Sequence, residues 1–232
     1  MIIVITGASK GIGKAIAQEF AAAGNQLFLC SRNPHQLYET VQELQSRFPT
    51  CEVKGQPADL SLRADITAFS EWVSSFGIPD ILVNNAGQFI PGSIYNEPEQ
   101  ALETSLSVNL LSAYHLTRSF LPGMMKRQSG HIFNICSIAS LAAYANGGAY
   151  SISKFALLGF SKNLREEMKP FGIKVSAVLP GAAYTDSWAA SGVDPSRLME
   201  ARDIALMIHA ASRLSAQACV EDIVLRPQLG DL

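Results

Sequence analysis

The chain has 232 residues, of which 48% are hydrophobic and 16% are charged, and its formal net charge is −2. This composition excludes a disordered chain and is typical of one folded domain, while the balanced charge argues against a nucleic-acid partner. Apolar runs fall short of the roughly 18 residues of a membrane span, and the four cysteines lack metal or redox spacing. We therefore expect a cytoplasmic protein of one domain (1–232), with no membrane association and no metal site.

Short apolar runs alternate with longer periodic segments along the whole chain. Strands are predicted at Ile2–Thr6, Gln26–Cys30, Cys51–Gln56, Ile81–Val83, His131–Cys136, Lys174–Leu179 and Ile223–Leu225, and helices at 12–23, 34–48, 62–76, 98–127, 150–169 and 202–212. This alternation favours right-handed crossovers and a mainly parallel sheet with helices on both faces. The predicted fold is α/β, a doubly wound, Rossmann-type, seven-stranded single domain. The long connection at 181–200 is predicted to be a substrate loop.

A glycine-rich turn follows the first predicted strand and opens the first predicted helix. Its sequence is Thr6-Gly7-Ala8-Ser9-Lys10-Gly11-Ile12-Gly13. Three glycines there permit a tight turn, let the backbone approach a pyrophosphate, and let the helix pack closely on the sheet. The turn predicts a dinucleotide site that includes Gly7, Ser9, Lys10, Gly11, Ile12 and Gly13. The alternative is a glycine-rich turn without a ligand.

The end of the second predicted strand indicates which dinucleotide is preferred. The stretch Leu29-Cys30-Ser31-Arg32-Asn33 lacks the acidic residue that accepts a hydrogen bond from the ribose 2′-hydroxyl of NAD. An arginine suits a 2′-phosphate, because its planar fork can hold two phosphate oxygens. We therefore predict NADP(H) in preference to NAD(H), with Ser31 and Arg32 as contacts. The alternative is that Arg32 is a solvated loop residue.

Tyr150 and Lys154 are one helical turn apart. An ammonium about 6 Å away stabilises a phenolate by roughly 2–3 kcal/mol, or about two pKa units, so Lys154 is expected to lower the pKa of Tyr150 towards the range of a general acid or base. Ser137, after a predicted strand, and Asn109, in the preceding helix, are further candidates near the edge where such sheets bind ligands. Alternatively, Ser137 caps its strand and Asn109 is a paired buried amide.

Together these motifs resemble the short-chain dehydrogenase/reductase family. The resemblance runs from Thr6 to about Thr185 and is carried by Thr6-Gly7-x-x-x-Gly11-Ile12-Gly13, Asp59-Leu60, Asn84-Asn85-Ala86-Gly87, Asn109, Ser137, Tyr150-x-x-x-Lys154 and Pro180-Gly181-x-x-x-Thr185. The segment from Pro180 to Trp188 and the tail Ile223–Pro227 are similar to bacterial sepiapterin-reductase-like members. The usual Asp-Gly-Gly after the last strand is missing.

The resemblance implies a role for each catalytic candidate. Tyr150 would donate a proton to a substrate carbonyl oxygen, and Ser137 would hydrogen-bond the same oxygen. Lys154 would hold the nicotinamide ribose, and Asn109 would anchor a water that links Lys154 to solvent. The cofactor contacts that the resemblance implies are Asp59, Leu60, Asn85, Ala86, Gly87, Tyr150, Lys154, Pro180, Gly181 and Thr185.

The segments after Gly87, Ser137 and Gly181 should line the substrate pocket. They offer Phe89, Leu141, Tyr144, Tyr184, Asp186 and Trp188, a mostly aromatic and apolar set. The predicted activity is NADPH-dependent reduction of a small ketone or diketone. The alternatives are a 3-oxoacyl-thioester reductase of fatty-acid synthesis and a non-catalytic regulator that senses NADP(H). Because the helix from Ser153 is apolar nearly all round, a homodimer or homotetramer through helices 98–127 and 150–169 is expected.

Overall fold

The computed structural model describes residues 1–185 and 192–232. Seven parallel strands form one sheet: β1 (Ile2–Thr6), β2 (Gln26–Cys30), β3 (Glu52–Gly55), β4 (Ile81–Asn84), β5 (Gly130–Ile135), β6 (Ile173–Pro180) and β9 (Asp222–Leu225). Their order is β3-β2-β1-β4-β5-β6-β9, so the direction of winding reverses between β1 and β4. Two further strands, β7 (Ala183–Tyr184) and β8 (Met199–Glu200), pair with each other.

Helices cover both faces of the sheet. They are α1 (Gly11–Ala22), α2 (Pro34–Arg47), α3 (Arg63–Ser74), α4 (Ala101–Leu106), α5 (Ser112–Arg127), α6 (Gly148–Met168) and α7 (Ala201–Ser212). Buried side chains of α1, α2 and α7 pack on one face, among them Phe20 and Ile208. Those of α3, α5 and α6 pack on the other, among them Phe69 and Leu116. The predicted doubly wound α/β fold is confirmed.

One predicted helix differs in kind from the observed structure. The helix predicted over 98–127 begins at Ala101 and is interrupted by a π-helical turn, Ser107–Leu111. A π turn accommodates one residue more than an α-helical turn and is frequent at functional sites. Asn109 lies within this turn. The remaining predicted bounds differ from the observed ones by at most two residues.

Two features are absent from the described residues, 1–185 and 192–232. None of their helices combines the length and the hydropathy of a membrane span. Their histidine, cysteine, aspartate and glutamate side chains form no group of three or more that could bind a metal ion.

A buried histidine, His131, lies near the start of β5. It is therefore at the amino end of the strands, whereas the glycine-rich turn is at their carboxyl end. His131 Nε2 is 2.8 Å from Ser176 Oγ, and the Ser176 hydroxyl donates to the Val220 carbonyl at 2.5 Å. Since the one hydroxyl proton is used there, we assign the proton between the two side chains to His131 Nε2. Burial, and next the charge of Lys174, lowers the pKa of His131 from 6.5 to about 3.

This histidine is expected to make the protein less stable in acid. Between pH 6.5 and about 3 the unfolded chain binds a proton at His131 that the folded chain excludes, so the free energy of unfolding falls as the pH falls. At pH 4.5 the loss is about 2–3 kcal/mol. Urea unfolding from pH 7.5 to 4.5 measures it, and His131→Gln should flatten the profile. Parallel profiles for wild type and variant would contradict the assignment.

Candidate active site

The segments that follow all seven strands of the sheet, β1 to β6 and β9, meet at one edge, because parallel strands share their carboxyl edge. They line a cavity of about 830 Å³, within the size range of small-molecule and cofactor sites. The predicted site residues that line it are Gly7, Ser9, Lys10, Gly11, Ile12, Ser31, Arg32, Asp59, Leu60, Asn85, Ala86, Gly87, Phe89, Ser137, Tyr144, Tyr150, Lys154, Pro180, Gly181 and Thr185.

The glycine-rich turn packs too tightly for side chains at its glycines. A Cβ atom at Gly13 would lie 2.3 Å from the Gly7 carbonyl oxygen and 2.5 Å from Asn85 Nδ2. Gly7 and Gly11 have positive φ angles of 63° and 54°, where glycine is favoured. The turn therefore presents bare backbone at the N-terminus of α1, which is the geometry that binds a pyrophosphate.

Hydrogen bonds hold the glycine-rich turn to the end of β4. Asn85 Nδ2 donates to the carbonyl oxygens of Thr6, at 2.8 Å, and Gly7, at 3.1 Å. The backbone N–H groups of Asn85 and Ala86 donate to Thr6 Oγ1. Thr185 reaches the turn from the other side, since a Cβ at Gly11 would lie 3.3 Å from its Cγ2. Three segments that are distant in sequence therefore form one rigid cradle.

Arg32 and Asp59 face the cavity beside this cradle. Asp59 Oδ1 accepts hydrogen bonds from the Ser61 N–H at 2.9 Å and the Ser61 hydroxyl at 2.7 Å. Although burial acts to raise the pKa of Asp59, these hydrogen bonds and the charge of Arg32 lower it. Asp59 is therefore a carboxylate at neutral pH, and Arg32 is an exposed cation at the mouth of the cavity.

Tyr150, Ser137 and Lys154 come together deeper in the cavity. Ser137 follows β5 and begins a 3₁₀ turn, in which its Oγ accepts from the Ala139 N–H at 3.1 Å. Tyr150 lies in the first turn of α6, and Lys154 lies one turn later with its Nζ 5.7 Å from the Tyr150 ring centroid. Lys154 Nζ donates to the Ile135 carbonyl at 2.8 Å, so β5 and α6 together orient the buried ammonium.

The expected lowering of the Tyr150 pKa is wrong, since the net shift of that pKa is upward. Burial raises the pKa of Tyr150, and a hydrogen bond with Ser137 opposes this only in part. Burial also lowers the pKa of Lys154, to about 8. Burial dominates because it disfavours both the phenolate and the ammonium that would stabilise it. At neutral pH Tyr150 is therefore a neutral hydroxyl, which is the form that donates a proton.

Both polar atoms of the Asn109 side chain form hydrogen bonds with neighbouring residues. Its Oδ1 accepts from the Gln88 N–H at 2.8 Å, and its Nδ2 donates to the Gln88 carbonyl at 3.1 Å and to Ser153 Oγ at 2.9 Å. A Cβ at Gly87 would lie 3.3 Å from Asn109 Oδ1 and 3.5 Å from Lys154 Nζ. Asn109 and Lys154 therefore flank the same small space beside Gly87.

A buried polar network fixes α6 against the sheet. Asn84 Nδ2 donates to Asn134 Oδ1 at 2.8 Å, and Asn134 Nδ2 donates to Ser161 Oγ at 2.8 Å. Asn84 Nδ2 also donates to Thr117 Oγ1 at 3.0 Å. Buried, directional hydrogen bonds of this kind specify one packing arrangement. The network therefore sets the depth and rotation at which α6 presents Tyr150 and Lys154.

Several predicted residues do not line this cavity. Among the predicted residues that the structure describes, Gly13, Asn109, Leu141 and Tyr184 lie outside its lining. Leu141 and Tyr184 are about half exposed, although their neighbours Ala142, Ala183 and Thr185 line the cavity. Asp186 and Trp188 lie outside the described residues.

Part of the cavity lining was not predicted from the sequence. The omitted residues include Gln88, Cys136, Ala142, Arg226, Asp231 and Leu232. The last three belong to the chain after β9, where Arg226 and Asp231 form an ion pair. Parallel pairing of the last strand was a usable signal, because it brings the residues after Leu225 to the same edge as the glycine-rich turn.

Comparison with known proteins agrees with this geometry. A family model described as short chain dehydrogenase matches residues 1–195. The chain is 33% identical to a sepiapterin reductase of Chlorobaculum tepidum, with 100% of this chain and 98% of the relative covered. It is 37% identical to a monensin polyketide synthase putative ketoacyl reductase of Streptomyces virginiae, with 79% and 71% covered.

A solved structure shows the same fold throughout. A metagenomic short-chain oxidoreductase in complex with NADP is 31% identical and superimposes with a TM-score of 0.86, with 98% of this chain and 97% of that one covered. The family model spans the glycine-rich turn, Ser137, Tyr150 and Lys154 in one stretch. The chain therefore belongs to the short-chain dehydrogenase family of oxidoreductases.

Proposed function

We propose that the protein is an NADPH-dependent carbonyl reductase that acts on a small ketone or diketone. The observation that carries this proposal is the meeting of a neutral Tyr150 hydroxyl, Ser137 and a buried Lys154 in the cavity that also contains the glycine-rich turn. The sepiapterin reductase relative and the NADP-bound structure support this chemistry and this cofactor.

The cavity residues fit a nicotinamide dinucleotide. The bare backbone at Gly7, Gly11 and the start of α1 suits the pyrophosphate, and Arg32 suits the 2′-phosphate of NADP(H). When bound, the reduced nicotinamide would supply the hydride to the substrate carbon. We assign the adenine end to Asp59 and Leu60, and the nicotinamide end to Lys154 and Thr185.

The protein's own groups manage the substrate oxygen. Ser137 Oγ and the Tyr150 hydroxyl would both hydrogen-bond the carbonyl oxygen, which orients the carbon for attack and stabilises the developing negative charge. The proton then passes from the Tyr150 hydroxyl to that oxygen. Lys154, with a pKa of about 8, would return a proton to Tyr150 through water. Asn109, which lies beside Lys154 near Gly87, would anchor that water.

A turnover assay tests the proposal. Purified protein is mixed with NADPH and a panel of ketones, diketones and a pterin carbonyl compound, and absorbance at the NADPH band is followed. Consumption of NADPH with formation of the matching alcohol is expected for at least one diketone. Tight NADPH binding without turnover on any carbonyl would instead support a non-catalytic NADP(H)-sensing regulator.

Replacement of Arg32 by aspartate is expected to move cofactor preference from NADPH towards NADH. The change removes charge-assisted hydrogen bonds to the 2′-phosphate and adds an acceptor for a 2′-hydroxyl, so NADPH should bind about 100-fold more weakly. Fluorescence titration with both cofactors measures this. Arg47→Asp, at the far end of α2, makes the same charge change away from the cavity. Equal effects of both variants would contradict a specific role for Arg32.

A 3-oxoacyl-thioester reductase is the second candidate. The putative ketoacyl reductase relative favours it. Competition between a free diketone and a 3-oxoacyl thioester in the same assay distinguishes the two. A thioester preferred by kcat/KM would establish this second candidate.

We also propose that the protein is a cytoplasmic homodimer or homotetramer. All four cysteines are free thiols, as in a reducing compartment. Large apolar side chains are exposed at Ile152 and Phe155 on α6, at Leu111 in the π-helical turn and at Tyr114 on α5, as expected where a second copy packs. Sedimentation velocity measures the assembly, and a monomer at micromolar concentration would contradict it.

A further inference from the structure

The helix that carries Tyr150 and Lys154 does not cap its own N-terminus. Within this fully described helix, α6, the first turn contains no acidic residue, and Gly147 at the N-cap position has no side chain to accept a hydrogen bond. An α-helix leaves its first N–H groups without helical partners. Here the N–H of Ala149 donates to Glu97 Oε2 at 2.9 Å. A carboxylate 52 residues earlier in the chain therefore supplies the cap.

The fit of this carboxylate depends on two glycines. A Cβ at Gly148 would lie 2.2 Å from Glu97 Oε2 and 2.7 Å from the Gly92 carbonyl oxygen. A Cβ at Gly92 would lie 2.6 Å from the Cβ of Glu97. Neither glycine has a positive φ angle, so each is needed for space rather than for backbone freedom. The three residues form a close junction between segment 88–97 and the start of α6.

Further contacts hold segment 88–97 at both ends. Near Glu97, the Gly92 N–H donates to the Asn146 carbonyl at 3.2 Å and the Ser93 hydroxyl donates to Asn146 Oδ1 at 2.9 Å. At the other end, Gln88 exchanges hydrogen bonds with Asn109. Between these ends Phe89 packs edge-on against the Tyr150 ring, with centroids 5.0 Å apart, and lines the cavity.

We propose that Glu97 is a positioning residue for the reductase site. Its carboxylate caps α6 and fastens segment 88–97 beside it, so that Phe89 forms a fixed wall of the substrate side of the cavity. The charge also suits the positive end of the α6 dipole. The catalytic consequence rests on the proposed carbonyl reductase activity, whereas the structural consequence does not.

Kinetics separate this role from a general loss of stability. Glu97→Ala is expected to raise KM for the carbonyl substrate roughly tenfold, with a smaller fall in kcat. Tenfold is the fold-change that corresponds to the free energy of one lost helix cap. The dissociation constant of NADPH should stay within about twofold of wild type, since the cradle is not touched. Glu97→Gln, which keeps an acceptor but not the charge, should recover part of the loss. Glu99→Ala, an exposed glutamate two residues later, is the matched control.

Hydrogen exchange tests the fastening directly and without substrate. In Glu97→Ala the amides of segment 88–97 and of Ala149 should exchange faster than in wild type, while Glu99→Ala should leave them unchanged. Gly148→Ala should reproduce the Glu97→Ala pattern, because its Cβ would displace the carboxylate, and the double variant should be no worse than Gly148→Ala. Unchanged exchange in Glu97→Ala, or a KM equal to that of Glu99→Ala, would overturn the proposal. A wild-type protein that reduces no carbonyl would refute the proposed function, and the exchange result would still decide the role of Glu97.

Discussion

Replacement of Tyr150 by phenylalanine is expected to lower kcat for carbonyl reduction by about 1,000-fold, within the usual contribution of a positioned general acid. The variant loses only the hydroxyl, so the ring still packs against Phe89 and the cavity keeps its shape. Because burial raises the pKa of Tyr150, the wild-type hydroxyl stays protonated at neutral pH and is ready to donate. Binding of NADPH should be preserved, since the change leaves the glycine-rich turn, Arg32 and Lys154 in place.

The matched control is Tyr38→Phe, which removes the same atom from an exposed residue on α2. Single-turnover kinetics with saturating NADPH compare the two variants with wild type. The control should retain wild-type kcat and NADPH affinity. A Tyr150→Phe enzyme within tenfold of wild type would show that another group supplies the proton.

Replacement of Gly13 by alanine is expected to damage both folding and cofactor binding. The new Cβ would lie 2.3 Å from the Gly7 carbonyl oxygen and 2.5 Å from Asn85 Nδ2. One contact is with backbone, so the turn itself must move and the Asn85 hydrogen bonds to Thr6 and Gly7 must lengthen. We expect a stability loss of about 1–3 kcal/mol, typical of overpacking, and NADPH binding weaker by roughly 10- to 100-fold.

Gly159→Ala provides the opposite case on α6. Within a single chain a Cβ there meets nothing within 4 Å, so alanine should stabilise the helix of each subunit by about 0.5–1 kcal/mol through its higher helix propensity. Urea unfolding and NADPH titration of both variants give the comparison. Equal stabilities for the two variants would contradict the packing described for the glycine-rich turn.

The overall fold could be predicted because its elements are encoded locally. Strands such as Ile2–Thr6 are buried apolar runs, and helices such as Pro34–Arg47 begin with a capping Asn33 and a proline at the first position. The paired strands β7 and β8 could not be predicted in this way. Each has two residues, and their pairing depends on a contact between segments distant in sequence.

The segments that meet at the candidate site could be predicted from the sequence, but the pKa of Tyr150 could not. The rule that parallel strands share a carboxyl edge brings Ser137, Gly87 and the glycine-rich turn together from sequence alone. The pKa of Tyr150 depends on how completely the rest of the chain buries it, which the spacing of Tyr150 and Lys154 does not contain. The folded chain also decides that Leu141 and Tyr184 are exposed and that Asp231 lines the cavity.

The π-helical turn at Ser107–Leu111 also limits how this protein can change in length. It holds a surplus residue within an otherwise regular helix, and that surplus turns Asn109 towards Gln88 and Ser153. Deleting any one of these five residues would let the segment form a continuous α-helix. The Asn109 side chain would then move away from Lys154. We therefore expect this stretch to accept substitutions at its exposed positions but neither deletions nor insertions.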